Sequence, residues 1–107
     1  MTDVPSPEAG AKPDEHFFKR ADAHINLSNE QLADAPRGEV MASMLFGSAR
    51  WAVWIAAAAV GDPQGLAQKR EDAIGYYVGQ FRMMLESNMD DYVNNYANFV
   101  ASKSGTA

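Results

Sequence analysis

Residues 51–60 read WAVWIAAAAV, ten consecutive apolar residues without a charged or polar side chain. A typical surface helix is apolar along one stripe only, so a helix that is apolar on every side has to be enclosed by protein or by lipid. The alanines permit close approach of another backbone, and the two tryptophans provide large anchors. The fold therefore depends on what covers this stretch.

The wider segment from Val40 to Val60 is long enough to cross a bilayer, which needs about 20 apolar residues. Arg50 lies at its middle, where an isolated cation costs about 2.5–3.5 kcal/mol on insertion scales. The flanking sequence also lacks the excess of basic residues that orients a membrane span. These features favour enclosure by protein over a membrane location.

A first helix is predicted to begin at Pro13 or Asp14, because proline suits the first turn and an acidic residue complements the helix dipole. Apolar residues then recur at steps of three and four. The helix should end near Ala33, because Pro36 disfavours helical geometry in the residue before it.

A second helix is predicted from Arg37 or Gly38 to Val60. Gly61 fits the left-handed position after a helix, and Asp62 followed by Pro63 fits the start of the next one. Such a short turn predicts an αα-hairpin, with the second and third helices as antiparallel neighbours.

The third helix should begin at Pro63 and carry one apolar stripe to about Ala101, with a kink or break near Asn88 that would create a short fourth helix. Gly75 and Gly79 form a small-xxx-small pair, which is typical of a close helix crossing. The apolar stripe comprises Leu66, Ala73, Ile74, Tyr77, Val78, Phe81, Met84, Leu85, Tyr92, Tyr96 and Phe99.

The sequence thus predicts an all-α protein, a small antiparallel bundle of three long helices with a short fourth if the third one breaks. Residues 13–101 form the single helical domain, between predicted disordered tails at 1–12 and 102–107 that are poor in large apolar residues.

A second copy of the chain is the simplest cover for the apolar segment, because each remaining helix supplies only one apolar stripe. We therefore expect a homodimer whose interface includes Trp51, Trp54, Ile55 and Ala58. The alternative is a monomer in which the third helix folds over this surface.

Composition excludes several classes of protein. The 107 residues contain no cysteine, which excludes disulfides and thiol-ligated metal centres. The net charge is −5 and no basic cluster is present, so nucleic-acid binding is disfavoured. Without an apolar run near the N-terminus to act as a signal peptide, the expected location is the cytoplasm.

Arg50 is the residue in the second helix that invites a specific role. Its expected partner is a carboxylate, Asp22 or Asp91, in a partly buried ion pair. One alternative is a crevice around Arg50, Trp54 and Tyr77 that binds a small ligand or anion. The other is a surface arginine whose aliphatic stem lies on apolar side chains while its guanidinium stays in water.

Histidine positions do not predict a catalytic or metal site. His16 and His24 are two helical turns apart with Arg20 between them, so no metal site is expected. His24 and Ser28 are one turn apart, but no third residue is placed to orient the imidazole. We expect no enzymatic activity and no cofactor.

Three segments resemble a small, mainly proteobacterial family of about 100-residue proteins, known only as a domain of unknown function. They are DEHFFKRADAHINLSNEQ at 14–31, SARWAVWIAAA at 48–58 and YYVGQFRMMLESNMDDYVNNY at 76–96. The resemblance implies an all-helical cytosolic protein without an assigned activity, and it transfers no functional residues. The residues that match the family pattern are Phe18, Arg20, Ala21, Asp22, Ile25, Asn29, Arg50, Asp91 and Tyr92.

Overall fold

The structure, a computed structural model, describes residues 14–100. This part of the chain contains five helices and no strand, so the predicted all-α class is confirmed. The helices are α1 (Phe17–Gln31), α2 (Arg37–Val60), α3 (Pro63–Gln68), α4 (Arg70–Asn94) and α5 (Tyr96–Val100). The predicted tails, together with residues 13 and 101, lie outside the described residues.

Helix α1 is shorter at both ends than the sequence predicts. Asp14 precedes it, and its carboxylate accepts a hydrogen bond from the His16 N–H at 2.9 Å. After Gln31 the chain turns, and Pro36 has the extended conformation that places it just before α2. The helical stripe was thus located correctly, while the terminal turns lie outside the regular helix.

The turn after α2 has the predicted chemistry. Gly61 has φ of +89°, in the left-handed region that glycine adopts without steric cost. The Asp62 carboxylate accepts a hydrogen bond from the Gly65 N–H at 2.6 Å, and Pro63 is the first residue of α3. These three neighbours specify where one helix ends and the next begins.

The helix after this turn differs from the prediction, because α3 ends at Gln68 and a new helix starts at Arg70. Helix α2 packs against α1 and α3, whereas α4 packs against α3 and α5. The expected long antiparallel contact between α2 and the following helix is therefore not observed. Lys69 itself keeps a right-handed helical conformation, with φ of −91° and ψ of −1°, and its carbonyl accepts a hydrogen bond from the Ala73 N–H at 2.9 Å.

Helix α4 continues through Asn88, so of the two alternatives predicted there, a kink or a break, the break is wrong. The Asn88 side-chain amide donates to the Met84 carbonyl at 2.8 Å, one turn earlier. The helix ends at Asn94 instead, and in the short α5 that follows the Phe99 ring stacks on Tyr92 with centroids 4.1 Å apart. Asparagine has a low intrinsic preference for helix, but the hydrogen bond to its own helix is compatible with a continuous backbone.

Within residues 14–100, no other helix crosses α4 closely at the glycine pair Gly75 and Gly79. A Cβ built on Gly75 or on Gly79 meets no other atom within 4 Å among the described residues. The close approach predicted from their spacing therefore has no intramolecular partner there.

The core of a single chain is small. Among the described residues only Val40 and Ala56 are buried hydrophobic side chains, and Ala56 is 2% exposed. Ala52 and Ile55 are half-buried on the same helix. Trp51 and Trp54 are 65% and 61% exposed, so one molecule leaves the tryptophan side of the apolar segment uncovered, while most of its alanines are half-buried or buried.

By length and composition, α2 passes the test for a helix that could cross a membrane, as no other helix does in the part of the chain described. The core helix of a soluble protein can pass the same test but is mostly buried, whereas 11% of the apolar window of α2 is buried.

Candidate interaction surface

The exposed side of α2 carries four large side chains that we call the α2 outer face, Phe46, Arg50, Trp51 and Trp54. All four are exposed in the single chain. Phe46, Arg50 and Trp54 are spaced at four-residue steps, which places them along one side of the helix. The Trp51 and Trp54 rings are nearly parallel, at 13°, with centroids 6.5 Å apart. The face is thus an aromatic surface with one positive charge at its centre.

Arg50 does not make the predicted ion pair. Its guanidinium carbon lies 4.8 Å from the centre of the Phe46 ring, and no carboxylate in the described residues is within ion-pair distance. Neither Asp22 nor Asp91 reaches it. The local reason is helical spacing, since Phe46 is one turn earlier on the same side and offers a cation–π contact without help from another helix.

A shallow apolar depression lies beside the α2 outer face, lined by Trp54, Ile55, Ala58 and Ala59. Three of these are residues that the sequence predicted for an interface. Arg50 and Tyr77, the other two members of the predicted ligand crevice, do not line it. The ligand site around Arg50, Trp54 and Tyr77 therefore stays a prediction.

Helix α4 has two distinct sides. Ala73, Tyr76, Tyr77 and Gln80 are half-buried and face the rest of the chain. Burial raises the pKa of the Tyr76 phenol, which is consistent with this position.

A neighbouring side of α4 is apolar and exposed from Ile74 to Met89. We call it the α4 outer stripe, formed by Ile74, Val78, Phe81, Leu85 and Met89. The sequence predicted one apolar stripe that contains Ile74, Val78, Phe81 and Leu85 and continues through Asn88 or Met89, but helical periodicity reports which residues share a face and not whether a neighbour covers it. The available signal was the width of the pattern, since apolar residues occupy more of the circumference of α4 than one packing contact requires.

The second half of α4 is acidic. Arg82 pairs with Glu86 one turn later at 3.0 Å, whereas Asp90 and Asp91 have no cation within ion-pair distance in the described part of the chain. A second shallow depression runs beside the α4 outer stripe, lined by Arg82, Leu85, Glu86, Met89 and Asp90. The apolar stripe is thus flanked by net negative charge.

Both histidines are exposed, His16 just before α1 and His24 within it, whereas Ser28 is half-buried. The His16 imidazole is 3.3 Å from Glu15, and Arg20 donates to Asp14 at 2.7 Å, which lowers the pKa of that carboxyl. No group of three or more metal-ligating side chains occurs within residues 14–100.

Comparison with known proteins places the chain in a family without supplying a function. No curated protein and no solved structure matches it. One family model covers residues 17–93, which include α1, α2, α3 and nearly all of α4. The predicted resemblance to a domain of unknown function is therefore confirmed, and the chain belongs to the family described as "Protein of unknown function (DUF3144)".

Proposed function

We propose that this protein is a non-enzymatic helical interaction protein that acts as a homodimer in the bacterial cytoplasm, with the α2 outer face in the dimer interface. The observation that carries the proposal is that Trp51 and Trp54, both on the apolar helix α2, are exposed in the single chain. Soluble proteins rarely leave such surface in water, and large exposed apolar patches usually mark a binding surface.

The area and composition of this surface support an interface. Fully burying an aromatic side chain removes about 200 Å² from solvent, so the exposed parts of Phe46, Trp51 and Trp54 amount to roughly 400 Å². Tryptophan and arginine are also the residue types most enriched among the side chains that dominate binding energy. Ile55 and Ala58 extend the surface along α2 as an adjoining shallow depression.

The charge of the chain disfavours a membrane as the alternative cover. Helices that lie on membranes carry Lys and Arg on their polar side and are drawn to anionic lipids, whereas this chain has a net charge of −5. A span through the bilayer would place Arg50 near its centre. Nucleic acid is disfavoured as a partner on the same electrostatic grounds.

A second candidate function is binding of a small ligand or anion around Arg50, Trp54 and Tyr77. One observation favours it, namely that the Arg50 guanidinium has no carboxylate partner in the described residues and lies over Phe46. Such an arginine offers a preorganised fork to a carboxylate or phosphate. Native mass spectrometry of protein purified from its own host would detect a retained ligand as additional mass.

Size-exclusion chromatography with light scattering on the full chain tests the leading proposal. The expected mass is twice 11.7 kDa. Tryptophan fluorescence provides a second readout, because both indoles should become solvent-exposed when the dimer dissociates on dilution. A monomer at micromolar concentration with water-exposed indoles would contradict the proposal, as would partition of the protein into a detergent phase.

A further inference from the structure

We infer that the α2 outer face of one protomer is covered by the α4 outer stripe of the other, and not by the partner's own α2. This inference rests on the proposed homodimer and specifies how its two chains are paired. In a two-fold dimer this contact would occur twice. The α2 outer face of each chain would pack against the α4 outer stripe of the other.

Within one chain α2 and α4 lack the long mutual contact of a helical hairpin, and each helix keeps an exposed apolar side. The two helices have 24 and 25 residues, which correspond to lengths of about 36 and 38 Å. Helices α2 and α4 thus have nearly the same length. The exposed side of α2 in one chain can therefore pack along α4 of a second chain.

The exposed apolar area also favours pairing of α2 with α4. A stable interface buries about 800 Å² on each partner, and the α2 outer face supplies roughly half of that. The five residues of the α4 outer stripe are each about half-exposed and add roughly 400 Å² more. Pairing through α2 alone would therefore give a small interface, whereas reciprocal pairing of α2 with α4 reaches the size typical of stable complexes.

The charge of Arg50 also favours α4 of the partner over α2. Arg50 lies midway between Phe46 and Trp54, so a two-fold pairing centred on two α2 outer faces would bring one Arg50 against the other. Like charges at the centre of an interface oppose association. The second half of α4 offers the opposite sign, because Asp90 lines the depression beside the α4 outer stripe and has no cation partner among the described residues. Arg50 can therefore be neutralised by α4 of the partner and not by α2.

Nuclear Overhauser spectroscopy on a dimer assembled from isotope-labelled and unlabelled chains tests this pairing directly. We expect intermolecular signals from the Trp51 and Trp54 indole protons to the Leu85 and Met89 methyl groups. Signals from these indoles to the partner's indoles or to the partner's Ile55 methyl groups, without any to α4, would overturn the inference. The proposed homodimer would survive that result, whereas a monomeric wild-type chain would contradict both.

A pair of substitutions on α4 gives an independent test. Leu85→Glu places a charge in the α4 outer stripe and should raise the dimer Kd by at least about 30-fold. Met83→Glu is the matched control, because Met83 is 48% exposed against 50% for Leu85 but projects from another side of the same helix. The control should change Kd less than about threefold. Equal effects of the two substitutions, in variants with the helical circular dichroism of the wild type, would overturn the inference.

Discussion

Replacing Trp54 by alanine should dissociate the dimer while leaving each helix intact. About 61% of Trp54 is exposed in the single chain, so complete cover by a partner would bury roughly 120 Å² of its surface. At about 25 cal/mol per Å² this amounts to about 3 kcal/mol for each copy, or about 6 kcal/mol for a symmetric dimer. Because each 1.4 kcal/mol is a tenfold change, Kd should rise by up to about four orders of magnitude, and half of that burial would still raise it about a hundredfold.

Analytical ultracentrifugation over a dilution series measures this change, with far-ultraviolet circular dichroism to confirm that the helices remain. Alanine has the highest helix propensity, so α2 itself is not weakened. Leu27→Ala is the matched control, since Leu27 is 53% exposed on α1 and lies outside both apolar faces defined above. If Trp54→Ala and Leu27→Ala change Kd equally, or if neither changes it, the α2 outer face does not form the interface.

Three further predictions concern local interactions at the ends of the helices. Gly61→Ala should lower the free energy of unfolding by about 1–2 kcal/mol because φ is +89°, and Gly61→Asn should lower it less; urea denaturation measures both. Asp62→Ala should cost about 1 kcal/mol and speed hydrogen exchange at the Gly65 amide, while Asp62→Asn should retain most of the cap; unchanged exchange in the alanine variant would contradict this role. The Arg20 guanidinium lowers the pKa of the Asp14 carboxyl, so their contribution to stability is present above the carboxyl's pKa in the unfolded chain and is lost as pH falls through the folded value. An NMR titration should give Asp14 a pKa below the ordinary range in the wild type, and Asp14→Asn should remove this part of the pH dependence.

The sequence predicted well those features of the fold that are encoded locally. The bounds of α2 and the Gly61-Asp62-Pro63 turn follow from backbone geometry and side-chain capping within a few residues. The uncovered apolar surface of α2 was also expected, because ten consecutive apolar residues cannot be hidden by one neighbouring stripe.

Features that depend on the rest of the chain were not predicted. Lys69 has no marked breaker on either side, yet a helix ends there, and Asn88 looks like a boundary but lies inside α4. The partner of Arg50 was sought among distant carboxylates, whereas the contact is with Phe46 one turn away. Periodicity could not distinguish the α4 outer stripe from a core face, because both have the same spacing.

The small core connects these observations to the stability of the molecule. With Val40 and Ala56 as the buried hydrophobic residues of the described chain, little apolar surface is withdrawn from water when one molecule folds alone. The conformational entropy lost on folding is of order 1–2 kcal/mol per residue, and burial of apolar surface is the main term that offsets it. If much of that burial takes place between chains, association stabilises the folded state, and the temperature of unfolding must rise with protein concentration. Thermal unfolding followed by circular dichroism from about 1 to about 100 µM should show this rise. A Tm independent of concentration, together with a monomeric mass throughout, would mean that a single chain is stable with its tryptophans in water.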